Sequence, residues 1–317
     1  NGSDLTIYVR DTSGAVLQTI SVIGMGNASR AIEAFYIDKA DGTAGQFNLA
    51  AAYTTAKAST NGQVVNAGYV GSTIGGIYTG DGNDLINGTV GNDVLRGYAG
   101  NDTIDGKAGR DAIYGGLGDD TITMKTDGVD SVEGGEGVDT LTLDYSWAPG
   151  NLGVYYIRGT TTVANVSSFQ QVKDFVAVGG AYNIRWTAST NDNIVTVSGI
   201  EKFNIRGSDI GAVTNPSFAN DLIIVQGAGG TYRGGTQGSS TYDTLYANWS
   251  DASGAITWVN DPVQDQVVNG ATLAGFERML VATGSGNDKI SNAYSGNYTN
   301  DYIDAGAGDD YLLGLSG

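Results

Sequence analysis

A chain of 317 residues with 50 glycines, three prolines and a net charge of −18 is poorly suited to a helix-rich fold, and it carries no basic patch that could displace counterions from nucleic acid. Only five of the 34 acidic residues are Glu; Asp is both a turn former and a compact hard ligand, so the charge points to metal-binding loops rather than solvated helix faces. The absence of Cys excludes disulfides, zinc fingers and thiol chemistry, and the absence of His removes the usual general base and the Ser-His-Asp triad. In chain order, residues 1–78 read as a small β-rich domain. LTIYVRDTSGAVLQTISV alternates apolar and polar residues around Asp11-Thr12-Ser13-Gly14, which predicts a hairpin. Ala28 to Ala40 is expected to form one short helix. Gly24-Met25-Gly26-Asn27-Ala28-Ser29 has the outline of a dinucleotide loop, but Ser29 stands at the third glycine and the strands before it read as a hairpin, not a βαβ unit. No run of about 18 apolar residues predicts a transmembrane helix, and no signal segment opens the chain.

Residues 79–143 repeat a nine-residue unit: GDGNDLIN, GTVGNDVLR, GYAGNDTID, GKAGRDAIY and GGLGDDTIT. Written G-G-x-G-x-D-x-U-x, the sixth position is Asp84, Asp93, Asp102, Asp111 and Asp120, and the aliphatic eighth is Ile86, Leu95, Ile104, Ile113 and Ile122. Glycines at the second and fourth positions, Gly80, Gly82, Gly91, Gly100, Gly109 and Gly118 among them, let the backbone turn through positive φ and bring carbonyls together. The last three residues of each unit make a short strand with one inward aliphatic. Two units complete a coil, so turns on one edge lie eighteen residues apart: Asp84, Asp102 and Asp120 in one column, Asp93 and Asp111 in the other. Strands about 4.8 Å apart would crowd these carboxylates. Calcium resolves the repulsion, since carboxylates and turn carbonyls supply the oxygen-only shell it takes; zinc and copper lack their His and Cys ligands. Asp81 to Asp84 does not read as an EF-hand, because neither the loop glycine nor the closing Glu follows.

This stretch resembles the RTX (repeats-in-toxin) family. The resemblance implies calcium-dependent β-rolls in bacterial proteins exported by type I secretion, unfolded inside the cell and folded by calcium outside. It also implies that the sixth-position aspartates are ligands, with Asn83, Asn92, Asn101 and Asp119 supporting the turn from the fifth position. Arg110 departs from the pattern there.

Beyond Thr123 the register slips: Asp111 to Asp130 and Asp120 to Asp139 are both nineteen apart, and Asp130 and Asp139 continue the sixth-position series. Residues 144–233 and 234–283 are then read as two interleaved β units on one plan. The first runs from Gly134-Gly135 and Asp139-Thr140-Leu141 to Val197-Ser198-Gly199-Ile200-Glu201-Lys202-Phe203. The second runs from Gly234-Gly235 and Asp243-Thr244-Leu245 to Leu273-Ala274-Gly275-Phe276-Glu277-Arg278-Met279. The first carries an insertion between Arg158 and Asn193. Glu201 and Glu277 are equivalent, which predicts a structural role, such as an ion pair with Lys202 or Arg278. Tyr145, Trp147, Tyr155, Tyr156, Trp249 and Trp258 read as inter-sheet core, with a sugar platform as the alternative. Residues 284–317 form a second roll in which Asp288, Asp301 and Asp310 recover the sixth position, Asp309 the fifth, and Ile290, Ile303 and Leu312 point inward. The chain stops at Gly314-Leu315-Ser316-Gly317, four positions into another unit, which suggests a fragment of a longer polypeptide.

The expectation is an all-β chain: parallel RTX β-roll segments interleaved with sandwich-like or solenoid-like β units. It is expected to act as a calcium-binding extracellular structural module of a secreted bacterial surface protein (surface layer, filament or adhesin). The alternative is the RTX secretion and folding module of an exported hydrolase or polysaccharide-modifying enzyme whose catalytic domain lies outside this chain. No catalytic residues are assigned. The expected partners are further copies of the assembly, with a cell-surface glycan as candidate ligand and no nucleic acid.

Overall fold

Ile104 sits in parallel register between Ile86 and Ile122, so the eighteen-residue coil inferred from the nonapeptides is the repeat of the fold. The structure is a computed structural model. It describes the backbone of strands at 5–10, 16–22, 36–38, 44–46, 54–55 and 64–66. It also describes residues 77–125, 128–146, 154–159, 161–163, 168–185, 194–207, 220–226, 229–235, 242–293 and 300–314. The short strands of alternate nonapeptides fall into two facing sheets. One stacks Val64–Asn66, Leu85–Asn87, Thr103–Asp105, Thr121–Met124 and Thr140–Asp144; the other stacks Thr54–Thr55, Ile77–Tyr78, Val94–Ala99, Ala112–Leu117 and Val129–Glu136. Every neighbour in these stacks is parallel. Alternation along each strand turns one aliphatic inward. Ile86, Leu95, Ile104, Ile113 and Ile122 are accordingly fully buried between the sheets. Because each half-coil offers a single large aliphatic, Ile104→Ala is expected to cost about 2–5 kcal/mol by the lost transfer energy and the cavity left behind, read as a drop in thermal midpoint in calcium.

The nineteen-residue slip appears as pairing of Ile113 with Val132 and of Ile122 with Leu141, with the extra residue absorbed before the next strand. Both sheets then continue through the positions where the sequence pattern changes. Thr140–Asp144 pairs in parallel with Lys202–Arg206, which pairs with Thr231–Arg233, which pairs with Ala271–Ala274. On the other face Ile194–Ser198 adds in parallel to Val129–Glu136, and Tyr182–Arg185, Tyr155–Arg158 and Thr161–Val163, in that spatial order, extend it with antiparallel pairings. Leu222–Ile224, Thr244–Asn248, Arg278–Ala282 and Tyr302–Asp304 form a four-stranded parallel sheet, and Thr257–Asn260, Lys289–Asn292 and Tyr311–Leu313 a three-stranded one. The fold is therefore nearly all β, with parallel stacks in the manner of a β-roll.

The N-terminal hairpin is present, Leu5–Arg10 antiparallel to Val16–Val22. The helix expected over 28–40 is corrected in part: Tyr36–Asp38 is a strand paired antiparallel with Ala44–Gln46, a local hairpin that outcompetes helix propensity in so short a segment. The rest of that span, and the loop at 24–29, lie outside the described residues. Instead, the one helix among the described residues is Phe169–Ala177, inside the insertion. Ser168 caps it by accepting from the Gln171 N–H, and Phe169, Val172 and Phe175 line one buried face. Tyr145, Tyr156, Trp249 and Trp258 are buried core, the two tryptophans edge-to-face at 6.1 Å; Tyr155 is half-buried and Trp147 lies outside the described residues. Ile290 is buried as expected. Leu312 is 44% exposed, a correction, because it lies on the last strand of its sheet with only one neighbour.

Candidate metal centre

The aspartates of the repeat form hydrogen-bonded ladders. The Asp84 N–H donates to Asp102 Oδ1 at 2.8 Å, that of Asp102 to Asp120 Oδ1 at 2.8 Å, and that of Asp120 to Asp139 Oδ1 at 2.8 Å. In the second column Asp93 donates to Asp111 and Asp111 to Asp130, both at 2.9 Å. One carboxylate oxygen of each rung is thus fixed by the preceding coil. All seven of these residues are buried. The fifth position makes a ladder of opposite sense: Asn101 N–H donates to Asn83 Oδ1, Asp119 to Asn101, and Val138 to Asp119. Arg110 keeps its backbone rung, donating to Asn92 Oδ1 at 2.9 Å, so the departure costs a side-chain acceptor and not the turn.

The second oxygen of the carboxylate decides what the ladder is for. In Asp102, Asp120, Asp139 and Asp288, Oδ2 is buried and has no hydrogen-bond partner. Leaving an anionic oxygen so is unfavourable by several kcal/mol unless a cation or a proton joins it. The surroundings are built for a cation. A Cβ added at Gly97 would lie 1.9 Å from Asp102 Oδ2 and 2.7 Å from the Gly115 carbonyl oxygen; at Gly115 the distances are 2.1 Å to Asp120 Oδ2 and 2.5 Å to the Gly134 oxygen. A carboxylate oxygen and the next coil's carbonyl oxygen lie together against the side of a glycine that carries no side chain. Among the described residues no three acidic side chains gather at a point, so backbone carbonyls must complete the shell, as suits an oxygen-seeking ion of flexible coordination. Gly82, Gly100, Gly109 and Gly118 hold positive φ as the turn requires. At the second position Tyr98 and Lys107 keep it too, at 76° and 67°, so the turn is imposed even where the side chain resists it.

The rungs are not equivalent. Thr89 replaces the second-position glycine, and its N–H and Oγ1 both donate to Asp93, at 2.6 Å and 3.0 Å to Oδ2. Gly80 N–H reaches Asp84 Oδ2 at 3.4 Å. In the C-terminal part, Asp288 accepts from Ile256 and donates to half-buried Asp310, and Asp309 donates to Asn287. Asp301 accepts from Met279 N–H on one oxygen and from Asn292 Nδ2 on the other. Two further aspartates occupy rungs, although the sequence, which marks Asn220-Asp221-Leu222-Ile223 as a turn like those of the repeat, assigns neither as a ligand: Asp221 donates to Asp243 Oδ1 at 2.8 Å, and both are buried. Their signal was the Asn-Asp-Leu-Ile and Asp-Thr-Leu strings, obscured because the glycines that serve them lie fourteen and nine residues upstream, at Gly207 and Gly234. Glu201 and Glu277 also join, accepting the N–H of Asp139 at 2.9 Å and Asp243 at 2.8 Å.

Burial, reinforced by the neighbouring aspartates, pushes the Asp102 carboxyl up to about 6 and Asp120 up to about 7, against the lowering by the backbone N–H each accepts; Asp139 is raised for the same reasons, with Glu201 adding to it. These values exceed those of an unfolded Asp, so without metal the folded state holds extra protons, and its stability is present at low pH and lost as pH rises through 6 to 7. In metal-stripped buffer the thermal midpoint is expected to fall between pH 5 and pH 8. Saturating calcium, which replaces those protons, should flatten the dependence. A metal-free midpoint that rises with pH would contradict this assignment.

A protein-family model described as the RTX calcium-binding nonapeptide repeat matches the chain in four copies, at residues 78–113, 96–123, 126–144 and 283–317. A search among curated proteins gave no match. The matched segments coincide with the Asp84–Asp139 and Asp288–Asp310 ladders and leave residues 145–282 outside. In these segments, with their parallel coils and acceptor-lined turns, the chain carries RTX calcium-binding nonapeptide repeats in a β-roll.

Proposed function

We propose that this chain is a calcium-stabilised structural module of an exported bacterial surface protein, one that stays extended without calcium and assembles with its own copies once folded. The observation that carries the reading is the column of buried carboxylate oxygens without hydrogen-bond partners at Asp102, Asp120 and Asp139. Bound calcium would neutralise that column, with carboxylate and glycine carbonyl oxygens as its ligands. Without it, an acidic, Gly-rich chain with one aliphatic per half-coil buries too little apolar surface to offset its ordering entropy. Binding is therefore linked to folding, which suits export through a narrow conduit and folding where calcium is abundant. A structural role is favoured over catalysis because the buried acidic residues among those described are committed to rungs and no catalytic family is indicated. Among the described residues no helix is long and apolar enough to cross a membrane. The parallel sheets run through the interleaved units as well as the repeats, as expected of a rod that bears or transmits load between copies.

The test is a calcium titration from chelator followed by circular dichroism and light scattering, with electron microscopy of the end point. Cooperative folding followed by ordered sheets or filaments is the expected result. Folding to a persistent monomer would overturn self-assembly and favour a module serving an adjoining domain. Folding without calcium would overturn the reading altogether.

A further inference from the structure

The Asp84–Asp102–Asp120–Asp139 column does not stop where the nonapeptides stop. After Asp144 the chain leaves the roll and returns at Lys202–Arg206, which pairs with Thr140–Asp144 so that Leu141 faces Phe203. That register sets Glu201 opposite Asp139, and its Oε2 accepts the Asp139 N–H just as an aspartate does in each earlier coil. The turn that delivers it is shorter. Four residues separate Gly134 from Asp139, whereas one separates Gly199 from Glu201, and the extra methylene of Glu makes up the reach.

The acceptors repeat as well. Asp139 is fully buried, and its Oδ2 has no hydrogen-bond partner. A Cβ built on Gly134 would be 2.5 Å from that oxygen and 1.8 Å from the carbonyl oxygen of Gly199. The same pair, carboxylate Oδ2 and next-coil glycine carbonyl, flanks Gly97 and Gly115 within the repeat. Gly199 thus stands where a nonapeptide glycine would, although it lies outside every segment matched by the repeat family. Two acceptors facing one space without a donor call for a cation.

We propose that Asp139, the Gly199 carbonyl and Glu201 form a further calcium site that closes this column and fastens the excursion to the roll; the proposal rests on the calcium reading of the column given above. The second unit repeats the construction. Glu277 accepts the Asp243 N–H, and a Cβ on Gly234 would lie 2.7 Å from Asp243 Oδ2 and 2.0 Å from the Gly275 oxygen. Gly-x-Glu, at Gly199-Ile200-Glu201 and Gly275-Phe276-Glu277, is thereby a terminator: it presents one carbonyl and one carboxylate to the last aspartate from three consecutive residues.

Calcium bound per chain, measured by equilibrium dialysis on the wild type and on Glu201→Gln, tests this. Gln keeps one oxygen for the Asp139 N–H, while its charge is lost and its second carboxylate oxygen becomes an amide N–H donor. One calcium fewer, or one site weakened about tenfold or more, is expected while the circular dichroism at saturating calcium is kept. Wild-type stoichiometry and affinity in the variant would overturn the proposal. Should the variant fail to fold, anomalous scattering from terbium-loaded crystals of the wild type decides the matter. A peak between Asp139 and Gly199 supports the site; an empty cradle beside occupied rungs at Asp102 and Asp120 overturns it alone. Absence of metal at every rung would overturn the calcium reading of the whole column.

Discussion

Asp120→Asn is expected to make the calcium-free chain more stable and the calcium-loaded chain less stable, so that the two melting curves cross those of the wild type. The carboxylate is buried in the middle of its column, accepts the Asp102 N–H, and has Asp102 and Asp139 as like-charged neighbours on either side. Without metal the ionised form is disfavoured, and burial pushes the group up to about 7. Asn keeps the Oδ1 acceptor and supplies an amide N–H where Oδ2 had faced the Gly134 carbonyl, which removes the repulsion. In calcium the same change removes an anionic ligand and puts a donor into the cradle. The lost charge-assisted interactions are of the order of 1.5–3 kcal/mol, roughly ten- to a hundredfold in the calcium concentration at the folding midpoint. Asp310→Asn provides the contrast. Asp310 is half-buried and accepts from Asp288 alone among the sixth-position residues, so both of its curves should move little. Thermal melts in chelator and in calcium at pH 8 check both variants. An Asp120→Asn chain destabilised equally in the two conditions would mean that the rung is a backbone brace and nothing more.

Much of this was legible because the repeat is local. Nine residues with one Asp, one aliphatic and fixed glycines define a half-coil completely, so the eighteen-residue register, the buried Ile and Leu series and the two columns could be written from Gly80 to Leu141 without reference to distant residues. The nineteen-residue slip was legible for the same reason. What stayed hidden depends on long-range pairing. Nothing local says that Lys202–Arg206 returns to Thr140–Asp144 across sixty-two residues, and without that register Glu201 reads as a structural acid paired with Lys202 rather than a rung. Asp221 was obscured by the thirteen residues between it and Gly207. The helix at Phe169–Ala177 had a visible cap in Ser168 and apolar residues at Phe169, Val172 and Phe175, but it lay in a segment read as an insertion into β structure, where the prior ran against it. The Thr89 contacts to Asp93 are a third kind of omission: spacing gives every aspartate the same role, whereas one Gly-to-Thr difference supplies that carboxylate with donors of its own.

Glycine in this chain serves two purposes that a pair of alanine substitutions separates. Gly115 does not hold a positive φ, so alanine there meets no backbone penalty. Its methyl would nevertheless lie 2.1 Å from Asp120 Oδ2 and 2.5 Å from the Gly134 oxygen, in the space that the two acceptors share. Neither neighbour can retreat: the Asp120 carboxylate is anchored through Oδ1 by the Asp102 N–H, and Gly134 lies within a strand paired in the next coil. Gly115→Ala should therefore abolish metal binding at that rung and cost several kcal/mol in calcium, comparable to overpacking a core. Gly254→Ala is the control, with nothing within 4 Å of the added carbon and no positive φ, and it is expected to change stability by no more than about 0.5 kcal/mol. Calcium stoichiometry distinguishes the cradle from simple crowding. If Gly115→Ala lowers the thermal midpoint but binds the wild-type number of ions, the space between Asp120 and Gly134 is a packing contact rather than a metal cradle. Loss of one ion together with the drop in midpoint ties the glycine to the ligand, and explains why this position stays glycine in each of the four units from Gly88 through Gly97 and Gly106 to Gly115 while its neighbour varies among Thr89, Tyr98, Lys107 and Gly116.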